Sequence, residues 1–338
     1  MKIFKYALIL MASITVYAQE TTEEKWTSNR PDGHAPISVM ADHTHNKGDW
    51  MFSYRFMTMN MNSLKQGSDD ATSQTVFDEG YAISPENMSM NMHMLGLMYA
   101  PSNKITLMAM TNYTSMSMDL VTGTGVNFST ESFGFGDLKI SGLYKFLNNK
   151  RQSLHGQLGF SIPTGSIDEM DVTPASSPDE VQLPYPMQIG SGTFDIDLGL
   201  TYLKQYKTIG LGSQLKATLR TGENDRSYTF GNKYSLNNWL SYKTTEWLSF
   251  SARVEGLYVD EISGADEDLT PMMVTTADTT NSGGTYINSG IGFNTYIRNG
   301  AFKNLRFGFE YSFPLYQNLN GIQLETSNSL NFGAQYSL

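Results

Sequence analysis

The chain has no cysteine, which excludes disulfide frameworks, thiolate metal sites and cysteine nucleophiles together. It is also poor in charge, with 17% Asp, Glu, Lys and Arg over 338 residues. A charge-rich disordered chain is thereby excluded. What charge there is leans acidic, 33 acidic against 23 basic residues and a formal net charge of −10. Nucleic-acid binding needs clustered Lys and Arg, so no nucleic-acid partner is expected. After the first 18 residues no apolar run of about 18 residues occurs, which excludes a helical membrane protein. Helical periodicity is nearly absent throughout.

What is present begins with an address. Lys2 and Lys5 form a positive start, Ala7 to Val16 an apolar stretch, and Val16-Tyr17-Ala18 a small-residue cleavage site, so residues 1–18 read as a secretory signal peptide. No cysteine follows the cut, which excludes a lipoprotein anchor. Residues 19–47 are expected to form a periplasmic N-terminal segment and 48–338 a single barrel domain.

From Gly48 onward apolar and polar residues alternate in segments of ten to sixteen, the period of strands with two unlike faces. Twelve such segments lie near 49–62, 87–100, 104–119, 132–146, 152–163, 192–204, 208–221, 228–243, 247–262, 285–298, 304–317 and 323–338. One face is oily, as in Leu305, Phe307, Phe309, Tyr311 and Phe313; the other is polar or small, as in Arg306, Gly308 and Glu310. A soluble sandwich would bury the oily face, whereas a membrane barrel turns it outward to lipid. Connector lengths favour the barrel. Short links at 101–103, 147–151, 205–207, 244–246 and 299–303 alternate with longer ones at 63–86, 120–131, 164–191 and 263–284. Aromatics at strand ends, among them Trp50, Tyr99, Tyr144, Tyr202, Trp247 and Tyr336, suit interfacial girdles. The expected fold is all-β, a closed antiparallel transmembrane β-barrel of about 12 strands in the outer membrane of a Gram-negative-type bacterium. Outer-membrane lipid is then one partner. The barrel assembly machinery is another, since Tyr336 and Leu338 end an alternating strand much as its terminal signal does.

The segment Phe133 to Phe146 (FGFGDLKISGLYKF), followed by Gly159 to Gly165 (GFSIPTG), resembles the strand–turn–strand pattern of the outer-membrane channels grouped as phenol meta-cleavage pathway transporters. The resemblance runs from about residue 88 onward and implies a passive channel for small molecules. His34-Ala-Pro-Ile-Ser-Val-Met40-Ala-Asp-His43-Thr-His45 is similar to a leader of other Gram-negative barrel proteins. Methionine-rich second and third strands depart from the general pattern of the transporter family.

Fourteen of the 20 methionines lie between Met40 and Met118, and four of the five histidines between His34 and His93. Trp50, Phe52, Tyr54 and Phe56 make the oily face of the first strand, which turns Met57, Met59 and Met61 inward. The same parity turns Met88, Met90, Met92, Met94 and Met98 inward on the second strand, and Met108, Met110, Met116 and Met118 on the third. Thioethers are soft ligands that suit Cu(I) and Ag(I). The expected site is therefore a lumenal thioether patch for copper or silver ions, with a second site at His34, Met40, His43 and His45 just before the barrel. The competing reading has flexible methionines filling gaps against a plug or inserted loops.

Other signals are weaker. His155 faces inward with no Ser or Asp at a diagnostic spacing, and a barrel enzyme is not expected. The Gly-x-Gly pairs, such as Gly134 and Gly136, precede no helix, so a phosphate-binding turn is rejected. Arg55, Lys139, Asp195, Asp197, Lys216, Arg253, Glu255, Arg306 and Glu310 all face inward by parity. Their mixed signs fit an open hydrated channel for a small solute or a lumen closed by ion pairs. The acidic runs 168–180 and 260–268 are expected to be solvated loops.

Overall fold

A computed structural model describes residues 25–338; the expected signal peptide lies outside the described residues. The wall is one antiparallel sheet closed on itself. Its elements are β1 (Trp50–Gly67), β2 (Ile83–Tyr99), β3 (Ile105–Thr122), β4 (Leu138–Asn149), β5 (Gln152–Ile162), β6 (Phe194–Gln205), β7 (Ile209–Thr221), β8 (Lys233–Lys243), β9 (Leu248–Val259), β10 (Gly284–Tyr296) and β11 (Leu305–Ser337). Each pairs with its neighbour in sequence, and β11 closes the ring on β1.

β11 is itself a hairpin. Its first arm pairs with β10 from Tyr296↔Arg306 to Gly284↔Leu319, and its second with β1 from Gln66↔Ile322 to Met51↔Ser337. The reversal falls at Gly321, whose φ of +61° is a left-handed conformation that glycine adopts at little cost. With both arms counted, the wall has the twelve strands that the alternation predicts.

The oily face does point outward: Phe52, Leu95, Phe133, Phe160, Leu215, Phe250 and Ile291 are all at least half exposed. In a membrane barrel that surface meets lipid, and burial in acyl chains replaces burial in a protein core. Short turns gather at one end of the barrel. The tightest joins β4 to β5 through Lys150 and Arg151, both at positive φ, as a two-residue hairpin loop requires. Trp50 and Tyr99 sit at this end with ring centroids 4.4 Å apart, and Tyr144, Tyr202 and Trp247 are exposed there too.

The other end differs from expectation in one place. The connection expected over 120–131 is only a tight turn, because β3 runs on to Thr122 and Asn127–Phe135 pairs back along it before β4 begins. Leu120 continues the buried face of Met116 and Met118, so the alternation outlasts the polar residues that resemble a loop. β1, β2 and β3 have 18, 17 and 18 residues, well beyond the roughly 9–11 that cross a bilayer, so they stand proud of the membrane at this end.

Three long loops are knit together above them. Tyr228–Thr229 pairs with Ser263–Gly264, and the Tyr185 and Tyr228 rings pack edge to face at 4.8 Å. Arg226 reaches Asp168 at 2.6 Å, Asp268 at 2.9 Å and Asp266 at 3.2 Å. These carboxylates hold its guanidinium charge more firmly than usual, against the opposing effect of burial. Part of each expected solvated acidic run therefore serves as a clasp.

Candidate functional site

The lumen is where this architecture concentrates chemistry. On one side, strand register sets the methionines in rows. β1 and β2 place Met57 opposite Met92, Met59 opposite Met90 and Met61 opposite Met88. β2 and β3 place Met88 opposite Met118, Met90 opposite Met116 and Met98 opposite Met108. Two complete cross-strand triplets result, Met61–Met88–Met118 and Met59–Met90–Met116, with Met57–Met92 beside them. Met94 lies between Arg55 and Asn112, and Met110 opposite Gly96. Near the short turns Met51, Met98 and Met108 make a further triplet, and Met51 is a residue that the parity argument passed over. Opposed side chains on one face start about 5 Å apart and successive rows lie about 7 Å apart. The result is a ladder of thioethers up one wall.

The ladder's two ends and its middle have different surroundings. At the long-loop end Met88, Met116 and Met118 are buried with Leu183, Met187, Val274 and Ala277, all from long loops folded into the mouth. At the short-turn end Met51, Met98 and Met108 pack on Ala41 and Leu143. Gap filling thus accounts for both ends. Met57, Met92 and Met94 are only half buried and belong to neither cluster.

The opposite wall is polar. Arg220 pairs with Asp195, Lys139 lies 3.7 Å from Asp197, and Arg253 donates to Glu310 at 2.7 Å and lies 3.3 Å from Glu255. All but Arg220 are among the groups that parity turns inward.

The residues ahead of β1 lie within the ring of strands. From Trp26 to His45 most are buried, and they touch wall strands all round at the short-turn end. Gln205 Nε2 donates to the Thr27 carbonyl at 2.7 Å and Ser249 Oγ to that of Pro31 at 2.8 Å. Arg306 Nη2 donates to the Ala35 carbonyl at 2.6 Å, and Ser38 Oγ to Glu310 at 2.5 Å. Gln214 Nε2 donates to the Met40 carbonyl at 3.0 Å, while His155 Nε2 lies 2.9 Å from that of Ala41. The polar lumen thus satisfies the backbone of an irregular segment, as burial demands. Apolar contacts add to this. Trp26, Ala35 and Val39 pack on Leu203 and Trp239, whose indole fits only because Gly212 opposite has no Cβ to strike it. This segment is a plug.

The plug carries the expected histidines. Ala41, at φ 55°, turns the chain so that Asp42 and His43 come back against His34. His43 Nδ1 lies 2.9 Å from Asp42 Oδ1, and His34 Nδ1 3.6 Å from Asp42 Oδ2. The His43 ring packs edge-on against His34 at 4.3 Å and against His45 at 4.8 Å. Met40 is placed elsewhere, with its sulfur against the Arg55 guanidinium. Asp42 is the member that sequence reasoning missed; its position directly before His43 is the only signal it leaves. Burial, reinforced by Arg306 and His43, drives the His34 imidazole well below its usual range, and burial brings His45 down to about 3. Burial opposes ionisation of Asp42, but the neighbouring His43 and His34 hold its carboxyl well below the ordinary range.

Fold and lumen together define a class: a transmembrane antiparallel barrel with an internal N-terminal plug. An outer-membrane channel from Pseudomonas putida F1 has a similar structure, with TM-score 0.62 and 14% identity over 89% of this chain and 99% of that one. The translocator domain of the autotransporter NalP from Neisseria meningitidis is a looser likeness, with TM-score 0.47 and 12% identity over 89% and 91% of the two chains. No family model and no curated sequence matches the chain. What the chain shares with the Pseudomonas putida channel is the barrel fold.

Proposed function

We propose that this protein is an outer-membrane channel for small solutes whose cargo is a soft metal ion, Cu(I) or Ag(I), passed along the methionine ladder. The observation that carries this reading is the register of β1, β2 and β3, which aligns thioethers in rows and leaves Met57, Met92 and Met94 outside the packed clusters at either end. Thioethers bind soft monovalent ions without a thiol, and neighbouring rows offer such an ion successive exchange sites. The barrel shared with the Pseudomonas putida channel supports the transport half of the proposal. Short turns mark the periplasmic end in this class of barrel, so in this reading the plug belongs to that side.

Silver binding to the purified protein tests the cargo. Leucine substitution at Met57, Met90, Met92 and Met94 should abolish it, and unchanged binding would remove the metal reading. Planar-bilayer conductance tests the channel. A second reading, a closed metal-sequestering barrel, draws on the plug and the inserted loops. A sustained ion current favours the channel, and silver binding without current favours sequestration.

A further inference from the structure

We infer that His34, Asp42 and His43 form a binding site for a divalent transition-metal ion of borderline character, Zn(II) or Cu(II), inside the plug. Each of the three offers one ligand atom within 4.8 Å of the others, and all three are buried. The second observation is a set of orphaned nitrogens. His34 Nδ1, His43 Nε2 and His45 Nε2 are buried and have no hydrogen-bond partner. A plug that needed only to fill space would not gather three imidazoles with unmet nitrogens, because each unsatisfied buried polar atom weakens the fold. The contacts that hold the plug to the wall use other groups, chiefly backbone carbonyls and Ser38.

The donor set decides the metal class. Two imidazoles and a carboxylate suit Zn(II) and Cu(II), whereas soft monovalent ions prefer sulfur. His45 packs edge-on to His43 at 4.8 Å, beside the three ligand groups. Access is from the short-turn end. A cavity of 220 Å³, lined by His34, His45, Arg306, Gln335 and Leu338 among others, leads to the cluster. The site shares no residue with the methionine ladder, so either can fail without the other.

The test uses the full mature chain folded in detergent and titrated with Zn(II) or Cu(II) alone against a chromogenic chelator. One tight equivalent is expected, and Asp42→Asn should weaken it roughly 10- to 100-fold. A His34→Ala, His43→Ala double variant that binds like the unaltered protein would overturn the site. In case that variant misfolds, electron paramagnetic resonance of the unaltered protein with one equivalent of Cu(II) gives an independent reading. Superhyperfine structure from imidazole nitrogen is expected, and a purely oxygen-ligated spectrum overturns the assignment. Leucine variants of Met57, Met92 and Met94 should keep the equivalent; its loss there would place the ion on the ladder.

Discussion

Glu310 is wholly buried, and its neighbours account for the charge. It accepts hydrogen bonds from Arg253 on the wall, from Ser312 beside it and from Ser38 of the plug. Removing one partner of a buried ion pair leaves the other charge unmet, at a cost of about 3–5 kcal/mol. Glu310→Ala should therefore lower the urea midpoint of unfolding sharply, whereas a Glu310→Met, Arg253→Met pair should lose much less. The ladder methionines should respond in the opposite way. Leucine conserves their volume, so Met57→Leu and Met92→Leu should each change stability by less than about 1.5 kcal/mol. Thermal unfolding followed by circular dichroism checks this, and a large loss would reveal a packing role in the middle rows. Inward placement of these side chains was legible in the sequence because strand parity is strict. Their opposition in rows was not, since register depends on turns and closure that a single strand does not encode.

The plug behaves as an element, although it has no regular structure beyond turns. It shows no periodicity, and its burial arises from wall groups far away in sequence, such as Asn294 and Arg306, which both donate to the Ala35 carbonyl. The alternation that revealed the barrel could not reveal what fills it. Two glycines seat the plug: a Cβ at Gly308 would come within 2.9 Å of Ile37, and one at Gly333 within 2.7 Å. A Gly308→Val, Gly333→Val variant should expel Ile37 and expose 26–45 to limited proteolysis while the wall still migrates as a folded barrel on cold gels. Continued protection would show that other contacts dominate. The loops at the other end share an ionic clasp. Arg226 joins carboxylates from two loops, so Arg226→Met should free both, seen as faster cleavage within 260–283.

At the scale of the molecule, an oily belt surrounds a polar, partly filled interior. Leu215, on the outer face and more than half exposed, tests the belt: Leu215→Arg should cost about 2–4 kcal/mol in lipid vesicles if the site lies near mid-membrane. Deleting residues 25–45 tests the interior, and conductance should rise well above that of the intact protein. The ring closes where the first wall strand meets the last, down to the Leu338 amide donating to the Trp50 carbonyl at 2.8 Å. Because the plug precedes that first strand, it is made long before the ring can shut. Enclosure must accompany or follow the final zipping, so whatever ion the plug carries at that moment could be sealed in during biogenesis.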